Sequence, residues 1–591
     1  MRLRAAILFL AMAAACGGKP EQPVVKPENI PGVPRNVKLV RATETSLTFQ
    51  WSAVSGASGY GWKLSLDGEV VKNGTSSARN VEVKDLAPGT TYGFCVCAKG
   101  TAESDYCAVI EAKTEGTVPT PPDPSVKTQC VDAPIVIEYA SVPTLGNSGL
   151  IRVLKADGTV VDRIDMADMA TVDILEDGTM VPKGADADAG KIAINNDYKF
   201  NTFMDALHSG QYRMVHYTPV RVNGKTLEIK LHNEALSFGE TYTVKVDASV
   251  AGMVAEDVTF TTKPRPSSSA VIKVAADGSG DFCTLQGALS YVSANVGKDN
   301  AVTIEMAAGT YREMLFLRNK NNVTIKGINR EGTVIAYPNN DSYETGSGAS
   351  VGSKPSLGSS IGKSGGRCVF LVESCDNLVL EDLTIENRYS TPSHKGQAET
   401  IYFNSAYRMT IQNCALISWQ DTFLTKGKVW VYRTLIAGHV DYIWGYPEAC
   451  LFEECEIRSR AGGYIVQARI QSASNPGFVF LNCNLTAESG VASGSMYLAR
   501  SGGDTSVYDN VVFVNCTMGP VIAPAGWFGP SVNSGAKKPT PEAPTASSGW
   551  REYGSVKPDG TSASGSRNAY GLVLTASEAA PYSSKAAVLG W

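Results

Sequence analysis

Histidine is nearly missing from this chain, with five in 591 residues. A multi-histidine metal centre is therefore not expected. No C-x-x-C spacing occurs, and the 13 cysteines are not interleaved with histidine at zinc-ligand intervals. Neither sign of charge dominates: 53 Lys+Arg against 58 Asp+Glu leave a net charge of −5, which denies the basic footprint of a general nucleic-acid binder. Beyond the N-terminal leader there is no apolar run of bilayer-spanning length, so an integral membrane protein is not expected. Helix-period runs are also scarce, apart from one near 285–296. What remains is ordinary globular material, 43% hydrophobic and 19% charged, long enough for about four domains.

The N-terminus reads as an address. Met1-Arg2-Leu3-Arg4 is basic, residues 5–15 are all apolar, and Cys16-Gly17-Gly18 follows. That is the order of a secretory signal peptide, too short for a membrane helix. Cys16 directly after Ala13-Ala14-Ala15 resembles a bacterial lipobox, which implies acylation at Cys16 and export as a lipoprotein of the outer membrane or cell surface, the periplasmic face being possible. Plain secretion with an incidental cysteine is the alternative. A lipid anchor would then be the only membrane attachment. Export permits disulfides, and Cys97 with Cys107, flanking a hairpin pattern, is the most plausible pair.

Three folded units follow a leader (1–16) and a polar linker (17–32). Ser46-Leu47-Thr48-Phe49-Gln50-Trp51 alternates strictly, the mark of a half-buried strand. With the later corner Leu86-Ala87-Pro88-Gly89-Thr90-Thr91-Tyr92, the stretch 33–115 resembles a fibronectin type III sandwich. A Pro-rich linker occupies 116–126. From 127 to 263, alternation at Lys225–Leu231 and Thr241–Val246, closing on Thr259-Phe260-Thr261-Thr262, resembles bacterial Ig-like modules. Both sandwiches read as spacers or presenters, with glycan binding as the alternative. A second linker spans 264–270. Since both linkers are Pro-rich, 271–591 is expected to fold and act alone.

Texture changes after Val271. Similar β-rich runs recur around Cys414, Cys455, Cys483 and Cys516. The longest step, from Cys414 to Cys455, leaves room for an extra rung at Trp430–Ile436. Repeats at such intervals, each with a strand and an inward small residue, indicate a solenoid. The fold class expected is all-β multidomain, a right-handed parallel β-helix preceded by two β-sandwich domains. The recurring cysteines are then a buried thiol stack.

Two carboxylates stand out. Asp421 lies in Gln420-Asp421-Thr422 and Asp441 in Val440-Asp441-Tyr442-Ile443-Trp444-Gly445. They fall on successive rungs, so one coil of the solenoid could bring them face to face. Two carboxylates in a low-dielectric cleft cannot both ionise easily, which suits one as acid and the other as nucleophile. Arg500 is the cation that could hold one of them charged, and the amides of Gln397 and Gln420 could donate to an oxyanion. On spacing alone, aspartates that cap turns remain an equal reading.

Motifs narrow the choice. Asp277-Gly278-Ser279-Gly280-Asp281-Phe282, Gly309-Thr310-Tyr311-Arg312-Glu313, Thr384-Ile385-Glu386-Asn387 before Gln397-Ala398, Ser418-Trp419-Gln420-Asp421-Thr422, Val440–Gly445, Tyr497-Leu498-Ala499-Arg500 and Ile522–Trp527 occur in order. Together they resemble the pectin methylesterase (pectinesterase) family across nearly all of 271–591. The resemblance implies hydrolysis of galacturonate methyl esters without metal or other cofactor. It implies Asp441 as nucleophile, Asp421 as acid–base, Gln397 and Gln420 as oxyanion donors, and Arg500 as the residue orienting Asp441. Tyr402, Trp419, Tyr442, Trp444 and Trp527 could be sugar platforms, though some must be core. One departure is clear: the family follows its Arg with Pro-Trp, whereas Arg500 is followed by Ser501-Gly502, which touches substrate preference. Residues 388–500 hold 10 Lys+Arg against 8 Asp+Glu, a balance suited to partly esterified or branched pectin.

The partner expected is pectin, with no nucleic acid, and the protein is expected to be a monomer. Gly348-Ala349-Ser350-Val351-Gly352 fits a serine-hydrolase elbow, but its Gly/Ser-rich surroundings point to a loop. A β-helix polysaccharide hydrolase or lyase, an esterase acting on another pectic ester, and a non-catalytic surface glycan binder are the rival readings. His394 and His439 are read as groove or rung residues.

Overall fold

The computed structural model describes residues 30–591 apart from 44, 88, 115–125, 175–179, 183–188, 194–200, 206–210, 216–217, 342–343, 345, 349–350, 354–364, 390–395, 505 and 530–542. Cys16 with its leader, most of the 116–126 linker, the centre of the Gly348–Gly352 elbow and His394 lie outside the described residues. The chain divides into two units, at residues 121 and 122.

The first unit is a sandwich of a three-stranded and a four-stranded antiparallel sheet. Alternation works as read: Leu47, Phe49 and Trp51 are buried, and Phe49 stacks on Phe94 at 3.8 Å. The Tyr92 hydroxyl accepts from the Ala87 N–H at 3.0 Å, the tyrosine corner that pins the loop carrying buried Leu86. Cys97 and Cys107 are both free thiols. Cys107 pairs with Val96 through its backbone, one residue out of register with Cys97, so the expected bridge does not form.

In the second unit, residues 127–262 pair five- and six-stranded sheets around a core that includes Ile137, Ile151, Leu227, Tyr242 and Phe260. The rest is a parallel β-helix. Eleven strands from Val271–Val274 to Gly571–Val573 stack in one sheet, parallel and mostly one above the next. A second sheet of 14 strands wraps the other sides. Its longest members, Leu435–Gly445 and Glu456–Ala468, bend from one face to the next through register breaks at Gly438/Val440 and Val440/Ile443.

The cysteine repeat has a physical basis. Asp382, Asn413, Arg433, Glu454, Asn482 and Asn515 have φ between 47° and 56°, so each coil turns its corner in the left-handed region that Asn and Asp tolerate best. The residue after each corner points inward: Leu383, Cys414, Thr434, Cys455, Cys483 and Cys516 are all buried. Thr434 occupies the extra rung expected between Cys414 and Cys455. The thiols form no disulfide and donate to earlier rungs, Cys455 to Val431 O at 3.2 Å and Cys483 to Phe452 O at 3.3 Å. Phe452, Phe480 and Phe513 stack along the axis at 4.7 and 4.3 Å.

The second sandwich and the β-helix share one unit, so contacts cross the boundary expected at 264–270. Arg213, on a hairpin (Asn201–Asp205, Gln211–Val215) that pairs with Val351–Ser353 of the β-helix and with neither sandwich sheet, is completely buried. Its guanidinium donates to the carbonyls of Leu315, Gly365, Gly366, Val369 and Cys368 at 2.7–3.3 Å. Val215 enters the β-helix core. Asp132 accepts from the N–H groups of Cys283 and Thr284 at 2.9 and 2.7 Å. Glu313 accepts from Leu285 and Gln286 at 2.8 Å each. Two carboxylates thus hold the N-terminus of the helix Leu285–Asn295, the end where its dipole favours negative charge, and one comes from the neighbouring module. Arg213→Met should cost on the order of 3 kcal/mol, since five buried carbonyls lose a charged donor, although Asn339 still serves Gly366 O and Cys368 O and the Leu315 N–H still serves Val369 O. The check is the unfolding temperature of the 122–591 chain, and an isolated 271–591 fragment should melt lower still.

Candidate active site

In-register stacking builds the site. Bridges run from Gln397 to Gln420 and from Gln420 to Val440, then pairing continues from Val440 to Tyr464 and from Tyr464 to Tyr497. Five successive rungs therefore present one column, with Asp421 and Asp441 each a residue past it. Asp421 N–H donates to Val440 O at 3.0 Å. Both aspartates have positive φ, 65° and 48°, and both are buried. Gly438 allows this approach, because a Cβ there would lie 2.3 Å from Tyr442 Cβ and 2.7 Å from Trp419 O.

Asp441 is gripped from one side. Arg500 Nε donates to Oδ1 at 2.7 Å and Arg500 Nη2 donates to Oδ2. Gln467 Nε2 also donates to Oδ2, at 2.8 Å. Arg469 in turn donates to Gln467 Oε1 from Nε at 3.0 Å and from Nη2 at 2.6 Å, which fixes the amide with its NH2 on Asp441. Burial pushes the Asp441 carboxyl above its ordinary value, against the pull of Arg500 and Arg469. The expected partner is therefore in place, but desolvation outweighs it.

Asp421 has a different surround. Its Oδ2 accepts from Arg367 Nη2 at 3.1 Å, and the same guanidinium holds Glu399. Burial first, then the neighbouring Glu399 and Asp441, hold the Asp421 carboxyl well above the usual range, with Arg367 and Arg469 opposing. Such a pair can keep one carboxylate gripped and charged while its neighbour keeps a proton. Gln397 and Gln420 sit half-buried on the same column.

The family model described as Pectinesterase matches residues 271–538, and that described as Fibronectin type III domain matches 32–111. Pectinesterase 31 of Arabidopsis thaliana is 33% identical over 260 residues, 44% of this chain and 76% of that protein. The chain belongs to the pectinesterase family. Pectinesterase A of Emericella nidulans is 28% identical over 253 residues, 42% of this chain and 71% of that one. Among solved structures, the pectin methylesterase of Erwinia chrysanthemi aligns at 24% identity and a TM-score of 0.43, over 55% of this chain and 97% of that one.

Within this pectinesterase the aromatic residues sort by burial. Tyr442 is fully buried, its hydroxyl 3.4 Å from Ser459 Oγ. Trp527 is buried and stacks on Trp550 at 5.5 Å. Both are core, which corrects them as sugar platforms. Tyr402 and Trp444 keep only 7% and 6% of their surface, and Arg469 lies 4.9 Å above the Trp444 ring. Trp419 is half-buried, under Arg460 at 4.0 Å and edge-on to His439. Tyr464 was not anticipated; it carries Arg500 4.7 Å above its ring.

Arg367, Glu399, Gln467 and Arg469 were also missed. Their signal is faint: polar residues two apart in Gln397-Ala398-Glu399 and Gln467-Ala468-Arg469, and one Arg ahead of the apolar run Val369–Val372. The motif residues Glu313 and Thr384 prove architectural, the latter donating to Arg330 O. Among the described residues one cluster has metal-ligand character, Cys130, Asp132 and Cys283, with ligand atoms within 4.8 Å of one another. It lies at the junction with the sandwich, and its Asp132 is already engaged by the helix. Trp527→Ala should lose about 3–5 kcal/mol of stability, whereas Trp419→Ala should leave the melting temperature nearly unchanged, and thermal unfolding of both variants checks the division.

Proposed function

We propose that the β-helix hydrolyses the methyl esters of galacturonate in pectin, releasing methanol. The observation that carries this is a gripped Asp441 one rung from a buried, proton-favouring Asp421, on the column that presents Gln397 and Gln420. Asp441 attacks the ester carbonyl carbon, and Oδ1 is the apt oxygen because Oδ2 is engaged by two donors, Arg500 and Gln467. The tetrahedral oxyanion takes hydrogen bonds from the amides of Gln397 and Gln420, aimed at charge that develops only in the transition state. The carbon–oxygen bond to the methoxy group breaks as Asp421 gives its proton to that oxygen, leaving methanol and an acyl-enzyme anhydride on Asp441. Asp421, now a carboxylate, takes a proton from water, whose oxygen attacks the galacturonoyl carbonyl. Asp441 leaves as carboxylate, Asp421 is protonated again, and the cycle closes.

Substrate preference follows from the rim. At Gly502, where the family carries Trp, a Cβ would stand 3.2 Å from Gln467 Oε1, so this position abuts the Gln467–Arg469 pair. With Arg469, Arg460 and Lys426 around the cleft aromatics, partly esterified or branched pectin, already bearing free carboxylates, fits best. The protein is read as an exported lipoprotein, acylated at Cys16, acting as a monomer.

Asp441→Asn should lose nearly all turnover, and Asp421→Asn should lose on the order of 10²–10⁴-fold, both read as methanol released from methylated pectin. Rate requires Asp441 charged and Asp421 protonated. Since both pKa values are raised, the acid limb of the profile should lie above the ordinary aspartate value and the basic limb should follow Asp421. A fully active Asp441→Asn variant would refute the assignment. For location, Cys16→Ser should release the protein from the membrane fraction, and unchanged fractionation would exclude the anchor.

A further inference from the structure

We propose that Arg367 and Glu399 are a positioning pair: Arg367 turns the Gln397 amide so that its NH2 faces the cleft, and Glu399 balances the charge of Arg367 so that Asp421 can keep the proton that methanol leaves with. This rests on reading Asp421 as the acid–base group. The geometry is a single buried fork. Arg367 is 5% exposed and Glu399 not at all. Arg367 Nε lies 2.9 Å from each Glu399 oxygen, Nη2 lies 3.1 Å from Asp421 Oδ2, and Nη1 donates to Asp341 Oδ1 at 3.0 Å and to Gln397 Oε1.

Two consequences follow from chemistry alone. A guanidinium has five donors and no acceptor, so the Gln397 atom that meets it is the carbonyl oxygen, and the amide nitrogen is left for the substrate. Arg469 treats Gln467 in the same way, so each carboxylate of the site has an arginine-oriented amide beside it. The second consequence concerns charge. An Arg paired with Asp421 alone would hold that carboxyl ionised, the wrong state for donating to methanol. Glu399 takes the same guanidinium by its Nε edge and supplies a like charge next to Asp421.

The charged groups that bear on Asp421 are Arg367, Glu399, Asp441 and Arg469, and Arg500, which also holds Asp441, acts on it directly by charge. Asp341 reaches it through Arg367. Glu399 and Asp441 favour its protonated form, while Arg367 and Arg469 oppose it. Burial raises the Glu399 carboxyl itself to about 7, with Arg367 pulling it down. As pH rises through that range, Glu399 gains the charge that resists ionisation of Asp421. The basic side of the activity profile is thereby extended.

The test is the pH–rate profile of methanol release from methylated pectin, on the full chain. Glu399→Gln should move the basic limb down by about 1–3 pH units, with kcat recovered at lower pH and KM unchanged, and Glu399→Asp should restore much of the limb. Arg367→Lys keeps the charge but loses the fork, so kcat should fall about 10²-fold, as for a lost oxyanion donor, with KM unchanged. A folded Glu399→Gln whose basic limb stays in place overturns the pairing, as does an Arg367→Lys variant in which KM changes and kcat does not. The second variant decides the matter if the first does not fold. A wild type that releases no methanol would overturn the hydrolase reading along with the pairing, whereas an active wild type with an unmoved limb overturns the pairing alone.

Discussion

Rungs stacked in register leave little freedom about which side chain lies above which. Each parallel strand repeats at the hydrogen-bonding distance of about 4.8 Å, so a residue on one coil meets the equivalent residue on the next. Gln397, Gln420 and Val440 share a column for that reason, and Asp421 and Asp441 come together although a full coil of chain separates them. The corner residues with positive φ keep this spacing regular. Where the register breaks, around Gly438 and Val440, the strand opens a notch, and the notch is where Asp441 stands.

Putting charge into that notch sets the remaining requirements. An isolated buried carboxylate is costly, and removing one partner from a buried pair costs more than the pair contributes. The chain meets this with two arginines in direct contact, Arg500 on Asp441 and Arg367 on Asp421 and Glu399, and with amides whose orientation a donor-only guanidinium dictates. The outcome is asymmetric. One carboxylate receives donors on both oxygens, while the other sits among like charges. That difference lets chemically identical side chains take opposite protonation states.

Arg213 shows the same economy of donors at the junction with the second sandwich. Carbonyls of Leu315, Gly366 and Cys368 converge on one cation supplied by the strand Gln211–Val215, which precedes the β-helix in sequence. The chain ahead of the β-helix therefore completes the entry end of the solenoid, and the catalytic domain is larger than its family motifs.

Much of this was legible in the order of residues. Alternation around Phe49 and Trp51, the tyrosine corner at Tyr92 and the spacing of the inward cysteines follow from local pattern, because strand period and corner geometry act over a few residues, whereas Gln397, Gln420, Asp421, Asp441 and Arg500 were marked by motifs that resemble the pectinesterase family. Other features depended on which surfaces meet. Trp444 and Trp527 look alike in sequence, and only packing puts Trp527 against Trp550 and Trp444 beneath Arg469. Arg367 lies 54 positions before Asp421, with nothing in its neighbours to mark it. A count of charges between 388 and 500 could not show that Arg460, Arg469 and Lys426 gather around the cleft. The Pro-rich segment after Lys263 suggested independence, yet Arg213, Val215 and Asp132 bind the two modules through contacts between distant parts of the chain. Sequence determines what each rung can be; the coil decides which rungs are neighbours, because long-range burial and charge balance exist only once the chain has closed on itself.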